Sequence, residues 1–328
     1  MSYWYISICC LLIACGPATK KKRIQRTFEL ANTKLEQAYY DEAISLYSQV
    51  IDKDPEVIDA FMNRGVAYFE SGHFTLALAD YNHVHFNYPE YPEVVFNLVY
   101  CHLELKRFRQ AQEDIKELKS IYPDSALVDV IEGLFWSKQN YLSKAHLSFS
   151  TAIKKEEQNF DAWTNRGIVQ LQMKNYDEAE NDLLKALTIN ENAPEVLNPY
   201  SLLMTQKQRV EEADSIIDIA LNIAPDHPYF LNNKGYIQML LGEFDVADSY
   251  IMKSIKLDAG NAYAYKNLAE LRIAQNKKDE AHMAILKTLE LDSMAATVYD
   301  VMMSYNSKFT KDFDEGNIEL LKNKYGYK

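Results

Sequence analysis

Five asparagines carry the most regular chemistry in this chain. Asn63, Asn97, Asn165, Asn233 and Asn267 are spaced by 34 residues or by twice that interval. A side-chain amide carries two donors and an acceptor, so a ladder of them can pair with an extended backbone. Other groups give less. His83 and His85 are two apart, which does not place them on one helix face, and no metal site is expected there. The chain has no glycine-rich phosphate loop, no GxSxG, no HExxH and no CxxC. No unassigned stretch is large enough for a catalytic domain. The reading is therefore of a protein that is not an enzyme and needs no cofactor or metal.

The amides can stand in register only if the elements that carry them repeat. Ala43, Ala77, Ala111, Ala145, Ala179, Ala213, Ala247 and Ala281 follow one another at a fixed interval of 34 residues. Chance would produce that on the order of once in ten million. Four residues after each alanine stands a large apolar side chain: Tyr47, Tyr81, Ile115, Phe149, Leu183, Ile217, Ile251 and Ile285. Twelve residues before each stand Ala31, Gly65, Val99, Gly133, Gly167, Ser201, Gly235 and Ala269, all small except Val99. Each repeat reads as two helices. Phe61, Val66, Tyr68 and Phe69 have the spacing of one helical face. Gly72, Asn140, Gly242 and Asn276 mark C-caps. Asp41, Thr75, Ser143, Asp177, Asp245 and Asp279 then stand where a second helix needs an N-cap, and Asp177 with Glu180 makes a capping box. The aspartates are read as structural. The spacing predicts that the small residue of the first helix meets the alanine of the second where the two cross. A larger side chain there would overpack by roughly 1–3 kcal/mol. Pro199 replaces the asparagine of the sixth repeat and predicts a kink or a shortened helix.

This pattern resembles the tetratricopeptide repeat. Eight consecutive repeats begin at residues 24, 58, 92, 126, 160, 194, 228 and 262 and cover 24–295. The family's tryptophan position is held by Phe61, Trp163 and Tyr265, but by Thr27 and Asp129 in the two least typical repeats. The resemblance implies an all-α fold, a right-handed superhelical solenoid of eight TPR helix-turn-helix repeats with a C-terminal capping helix. Residues 296–328 are assigned to the cap, with a partial helix over 296–306 and a covering helix from Asp314 to Tyr325. In this family the first helices line the concave face. That makes Asn63, Asn97, Asn165, Asn233 and Asn267, with Phe96, Tyr100 and Tyr236, a groove for a peptide or helix of a protein partner. The alternative is that the asparagines only fix neighbouring helices to each other. The clamp by which some family members grip chaperone C-termini is not matched. Lys266 stands alone at one of its positions, with Glu270 beside it.

The net charge of −12 argues against nucleic acid as a partner and favours a basic partner segment. The N-terminus differs from the rest. MSYWYISICCLLIAC is an apolar run too short to span a bilayer, with the length of a signal-peptide core. Leu12-Ile13-Ala14-Cys15 resembles the lipobox of bacterial lipoproteins. That implies a signal peptide over 1–14 and a lipid anchor on Cys15. Residues 15–23, with Lys20, Lys21, Lys22 and Arg23, form a basic tether that either lies against anionic head groups or is a solvated linker. Cys9 and Cys10 would leave with the signal, so Cys101 has no partner for an intramolecular disulfide and is read as a small buried hydrophobe. The function expected is a membrane-anchored scaffold or adaptor in the bacterial cell envelope, facing the periplasm and assisting assembly, secretion or cell-wall machinery. The alternative is a cytosolic adaptor or regulatory module without an anchor.

Overall fold

The computed structural model describes residues 17–291 and 296–308. The lipidation position Cys15, the signal segment 1–14 and the covering helix Asp314–Tyr325 lie outside them. The chain divides into two compact halves, 1–141 and 142–328. Every described element is a helix, and helices consecutive in the chain pack in pairs within each half, as a solenoid of this kind requires. The N-terminal half holds α1 (Pro17–Glu36), α2 (Tyr40–Lys53), α3 (Ile58–Glu70), α4 (Phe74–Asn87), α5 (Val94–Glu104), α6 (Phe108–Ile121) and α7 (Ala126–Lys138). The C-terminal half holds α8 (Leu142–Lys155), α9 (Phe160–Gln172), α10 (Tyr176–Ile189), α11 (Pro194–Gln206), α12 (Val210–Ile223), α13 (Pro228–Leu240), α14 (Phe244–Leu257), α15 (Ala262–Ala274), α16 (Lys278–Leu291) and α17 (Ala296–Lys308). None of the described helices is long and apolar enough to cross a membrane.

The eight alanines of the series are all fully buried. Their partners differ from the expected small-on-small crossing. A Cβ added at Gly65 would lie 2.5 Å from the ring of Tyr81, and one at Gly167 would lie 2.8 Å from Leu183 Cγ. At Gly235 it would meet Ile251 Cγ1 at 2.6 Å and the Ala247 carbonyl oxygen at 3.1 Å. The small residue of the first helix thus makes room for the large one a turn beyond the alanine. The alanine brings the two backbones close enough for that insertion.

A single device closes each helix pair. Ala38, Gly72, Lys106, Asn140, Lys174, Gln208, Gly242 and Asn276 all have φ between 55° and 85°. They include all four residues expected to cap. Around Gly72, its own N–H bonds to Phe69 O at 2.9 Å and the His73 N–H to Tyr68 O at 2.7 Å, which satisfies the last carbonyls of α3. This closure sets where the second helix starts, and it starts two residues earlier than the N-cap reading requires. Asp41, Thr75, Ser143, Asp177, Asp245 and Asp279 all stand inside the first turn. No capping box forms at Asp177. It accepts a bond from Lys207 at 2.7 Å, while Glu180 accepts from Lys207 and from Arg209. Acidic side chains in a first turn still face the positive end of the helix.

Pro199 does not shorten its helix: α11 runs from Pro194 to Gln206 with the proline inside and buried. The ring removes one bond, to the Glu195 carbonyl, and packing of Val196, Leu197, Leu203 and Met204 holds the helix regardless. At the N-terminal end, α1 begins at Pro17, so Lys20 to Arg23 belong to the first helix of the first repeat. At the other end, α17 starts 34 residues after α15, in phase with a ninth first helix. Lys308 at its end donates to the Ile273 and Ala274 carbonyls that terminate α15.

Candidate functional site

The predicted groove residues fall into two concavities and two internal networks. In the N-terminal half, Asn97 and Tyr100 of α5 line a concavity of about 320 Å³ with Val66 and Phe69 of α3. Phe96 is turned elsewhere, its ring 5.6 Å from Tyr122. Asn63 is committed inside the fold. Its amide donates at 3.1 Å to Asn32 Oδ1, which also accepts from the Tyr47 hydroxyl at 2.7 Å. Burial pushes the Tyr47 phenol up to about 12. In the C-terminal half, Asn165 donates to its own helix at the Asp161 carbonyl, 2.8 Å away. The Asn63 bond thus ties α1 to α3, as the alternative reading of the asparagines has it, whereas the Asn165 bond stays within α9.

Asn233, Tyr236 and Asn267 come together. They line a concavity of about 380 Å³ formed by α11, α13 and α15, with Asn198, Tyr229 and Tyr263. Asn233 Nδ2 donates to Asn198 Oδ1 at 2.7 Å, and Asn267 Nδ2 donates to Asn232 Oδ1 at 3.0 Å. Each bond joins one first helix to the next. Within each pair this bond uses one of the four amide N–H groups and one of the two carbonyl oxygens. Burial, with Glu270 nearby, raises the Tyr236 phenol above its ordinary range. Lys266, which also lines the concavity, is paired with Glu270 at 2.8 Å.

Sequence reasoning missed Asn198 and Asn232, which stand one position before the ladder. It also missed the cations that lock the ladder's helices. Arg64 forms a bidentate pair with Asp80 at 2.8 and 2.7 Å and donates to Ser48 at 2.9 Å, which ties α3 to α4 and α2. Arg166 repeats the arrangement with Asp182 and Ser150. Lys234 pairs with Asp214 and Asp218 at 2.8 and 2.6 Å. Burial works against its charge, but the two carboxylates outweigh that and hold the ammonium above the ordinary lysine range. The signal was present in Asn63-Arg64-Gly65, Asn165-Arg166-Gly167 and Asn233-Lys234-Gly235, which share one phase of the repeat. Cys101 is fully buried, and its thiol is pushed up to about 12 by burial. His83 stacks on Phe61 at 4.2 Å.

Stacked helix pairs with amide-lined concavities define a helical repeat scaffold. Tetratricopeptide repeat profiles match residues 28–92, 93–125, 160–193 and 228–261, together about half of the chain. The chain belongs to the tetratricopeptide repeat family. Among curated proteins it is similar to human tetratricopeptide repeat protein 13, 24% identical over 156 residues, which is 46% of this chain and 18% of that protein. Human tetratricopeptide repeat protein 6 is 24% identical over 159 residues, 48% of this chain and 25% of that protein. The match thus spans a quarter or less of the length of these relatives. Among solved structures, a chain of the APC/C hetero-tetramer Cut9–Hcn1 aligns with a TM-score of 0.66 at 14% identity, covering 84% of this chain and 54% of that one. A tetratricopeptide repeat protein from Parabacteroides merdae aligns at 0.52 and 15% identity, covering 87% and 99%. Pseudomonas aeruginosa pilF aligns at 0.52 and 18%, covering 66% and 98%. At these identities the likeness is one of fold.

Proposed function

We propose that this chain is a non-catalytic, membrane-anchored scaffold that holds an extended segment of a partner protein in its amide-lined concavities. The carrying observation is the pair of inter-helix amide bonds, Asn233 to Asn198 and Asn267 to Asn232, beside Tyr229, Tyr236 and Tyr263. The paired amides are pre-positioned and offer the donor and acceptor that a peptide backbone needs. The tyrosines offer rigid, amphipathic contact area, and buried aromatics dominate binding energy. Asn97 and Tyr100 supply a smaller second site of the same kind. The anchor is Cys15, acylated after removal of residues 1–14, and the setting is the bacterial envelope, with the repeats facing the periplasm.

Two experiments test this. A partner captured from the native envelope is rebound to Tyr236→Ala, to Asn97→Ala and, as control, to Lys185→Glu on the exposed side of α10. Loss of about 2 kcal/mol is expected for Tyr236→Ala and about 0.5–1.5 kcal/mol for Asn97→Ala. Normal binding by both, with loss in the control, would place the partner outside the concavities. Mass spectrometry of the N-terminal peptide tests the anchor. An intact Met1 on soluble protein favours the cytosolic adaptor instead.

A further inference from the structure

We propose that the cationic start of α1 is a contact surface for an anionic lipid bilayer, and that it fixes the orientation of the first repeat on the membrane. Lys20, Lys21, Lys22, Arg23 and Arg26 are all exposed and lie within seven consecutive positions. The first acidic residue of the chain is Glu29, so this block stands apart in a protein of net charge −12. None of the five cations meets a carboxylate among the described residues. The ion pair that α1 does make, Lys34 with Glu42 at 2.8 Å, is near its other end. Nor do the five stabilise the helix that carries them. The first turn of α1 has no acidic residue, and cations near a helix N-terminus face its positive pole.

The block is rigid. Ile24, within one turn of Lys20 to Arg23, is 7% exposed and packs in the same core as Ala31, Tyr47 and Val50. Phe28 stands edge-on to Tyr47 at 5.8 Å. Lys22 and Arg26, four apart, share the face turned away from Ile24. The helix is 20 residues long, about 30 Å, and is continuous from Pro17 into the first repeat. A flexible tether would let the repeats tumble over a bilayer. A cationic helix end welded to them holds them at one angle. On the anchored reading proposed above, on which this step rests, the apolar run that ends at Cys15, two residues before Pro17, brings the same end to the membrane. Lipid is favoured over nucleic acid because the chain beyond Glu29 is acidic and would repel a long phosphate backbone.

The test uses the full chain made without acylation and the variant K20Q/K21Q/K22Q/R23Q/R26Q, with circular dichroism to confirm that both fold. Each is floated with vesicles of phosphatidylcholine alone and of phosphatidylcholine mixed with phosphatidylglycerol. The mixed vesicles should bind the parent at least about tenfold more tightly, given that each cation near an anionic surface contributes several-fold. That preference should vanish in the variant and in high salt. Equal binding to both vesicles, a preference retained by the variant, or tighter binding to duplex DNA than to mixed vesicles would each overturn the proposal. Neither the concavities nor the acyl chain enters this measurement, so failure of the proposed function leaves its result unchanged.

Discussion

Gly235→Ala sets two known tendencies against each other. Alanine is favoured over glycine in a helix interior by about 1 kcal/mol. The added Cβ, however, would lie 2.6 Å from Ile251 Cγ1, 3.1 Å from the Ala247 carbonyl oxygen and 3.2 Å from the Ile251 nitrogen. Two of those three atoms are backbone of α14 and cannot swing aside. Overpacking of this kind costs about 1–3 kcal/mol, and the fixed neighbours put it at the upper end. The net expectation is a loss of about 1–2 kcal/mol. Gly167→Ala is the internal comparison. Its Cβ would meet Leu183 Cγ and Cδ2 at 2.8 and 2.9 Å and Asp182 Cβ at 3.3 Å, all side-chain atoms and none of them backbone. Gain and loss there should nearly cancel. Stacked repeats need not unfold in one step, so a global melting curve would blur the difference. Hydrogen exchange of the α13–α14 and α9–α10 amides, read separately in each variant, resolves it. If both substitutions slow exchange by the same factor, helix propensity alone governs these sites and the close approach is soft.

Arg64→Ala leaves Asp80, 5% exposed, without its bidentate partner and should cost about 3 kcal/mol; in a double-mutant cycle the loss with Asp80→Ala should be well below additive, and additivity would show the pair to be uncoupled. Glu180 is held below the ordinary carboxylate range, first by its bond to Lys207 and then by Arg209. Its contribution to stability is therefore present above the unfolded value of about 4.3 and is lost as pH falls through the folded one. Amide exchange in α11 and α12 should accelerate on acidification, less so in Glu180→Gln, and identical pH profiles would refute the assignment. Cys101, with its thiol pushed up to about 12 and its side chain buried, should resist a thiol reagent at pH 8 in the folded chain and react only in denaturant.

The repeat period was the legible part. A 34-residue beat in alanine, with a large residue four places on, locates all eight helix pairs because a period survives variation at any single site. The left-handed positions at Gly72, Asn140, Gly242 and Asn276 were legible too, since glycine and asparagine tolerate that backbone. Ala38, Lys106, Lys174 and Gln208 were not, because there the hairpin closure overrides side-chain preference. The start of each second helix was misjudged for the same reason: the closure, not Asp41 or Asp177, sets it. Asparagine identity did not separate a groove amide from a structural one. Asn63 and Asn233 share a repeat position, but Asn63 faces Asn32 beside a buried tyrosine, while Asn233 faces Asn198 at an open concavity. Only the neighbouring helix distinguishes them.

The three-residue turns built around those left-handed positions also decide where this chain could be lengthened. The Leu241–Glu243 turn is closed by bonds from Gly242 to Met239 and from Glu243 to Gln238. An extra residue there would break the closure, and one added within α14 would turn everything after it by about 100° about the helix axis. Ordinary surface loops absorb insertions; these joints would transmit them as a phase error into the next pair. Among the described residues the other connections have no left-handed residue, and Tyr88–Glu93, between α4 and α5, is six residues long. A fluorophore-bearing peptide or an affinity tag belongs there, where added length can bulge outward without moving α5 relative to α4.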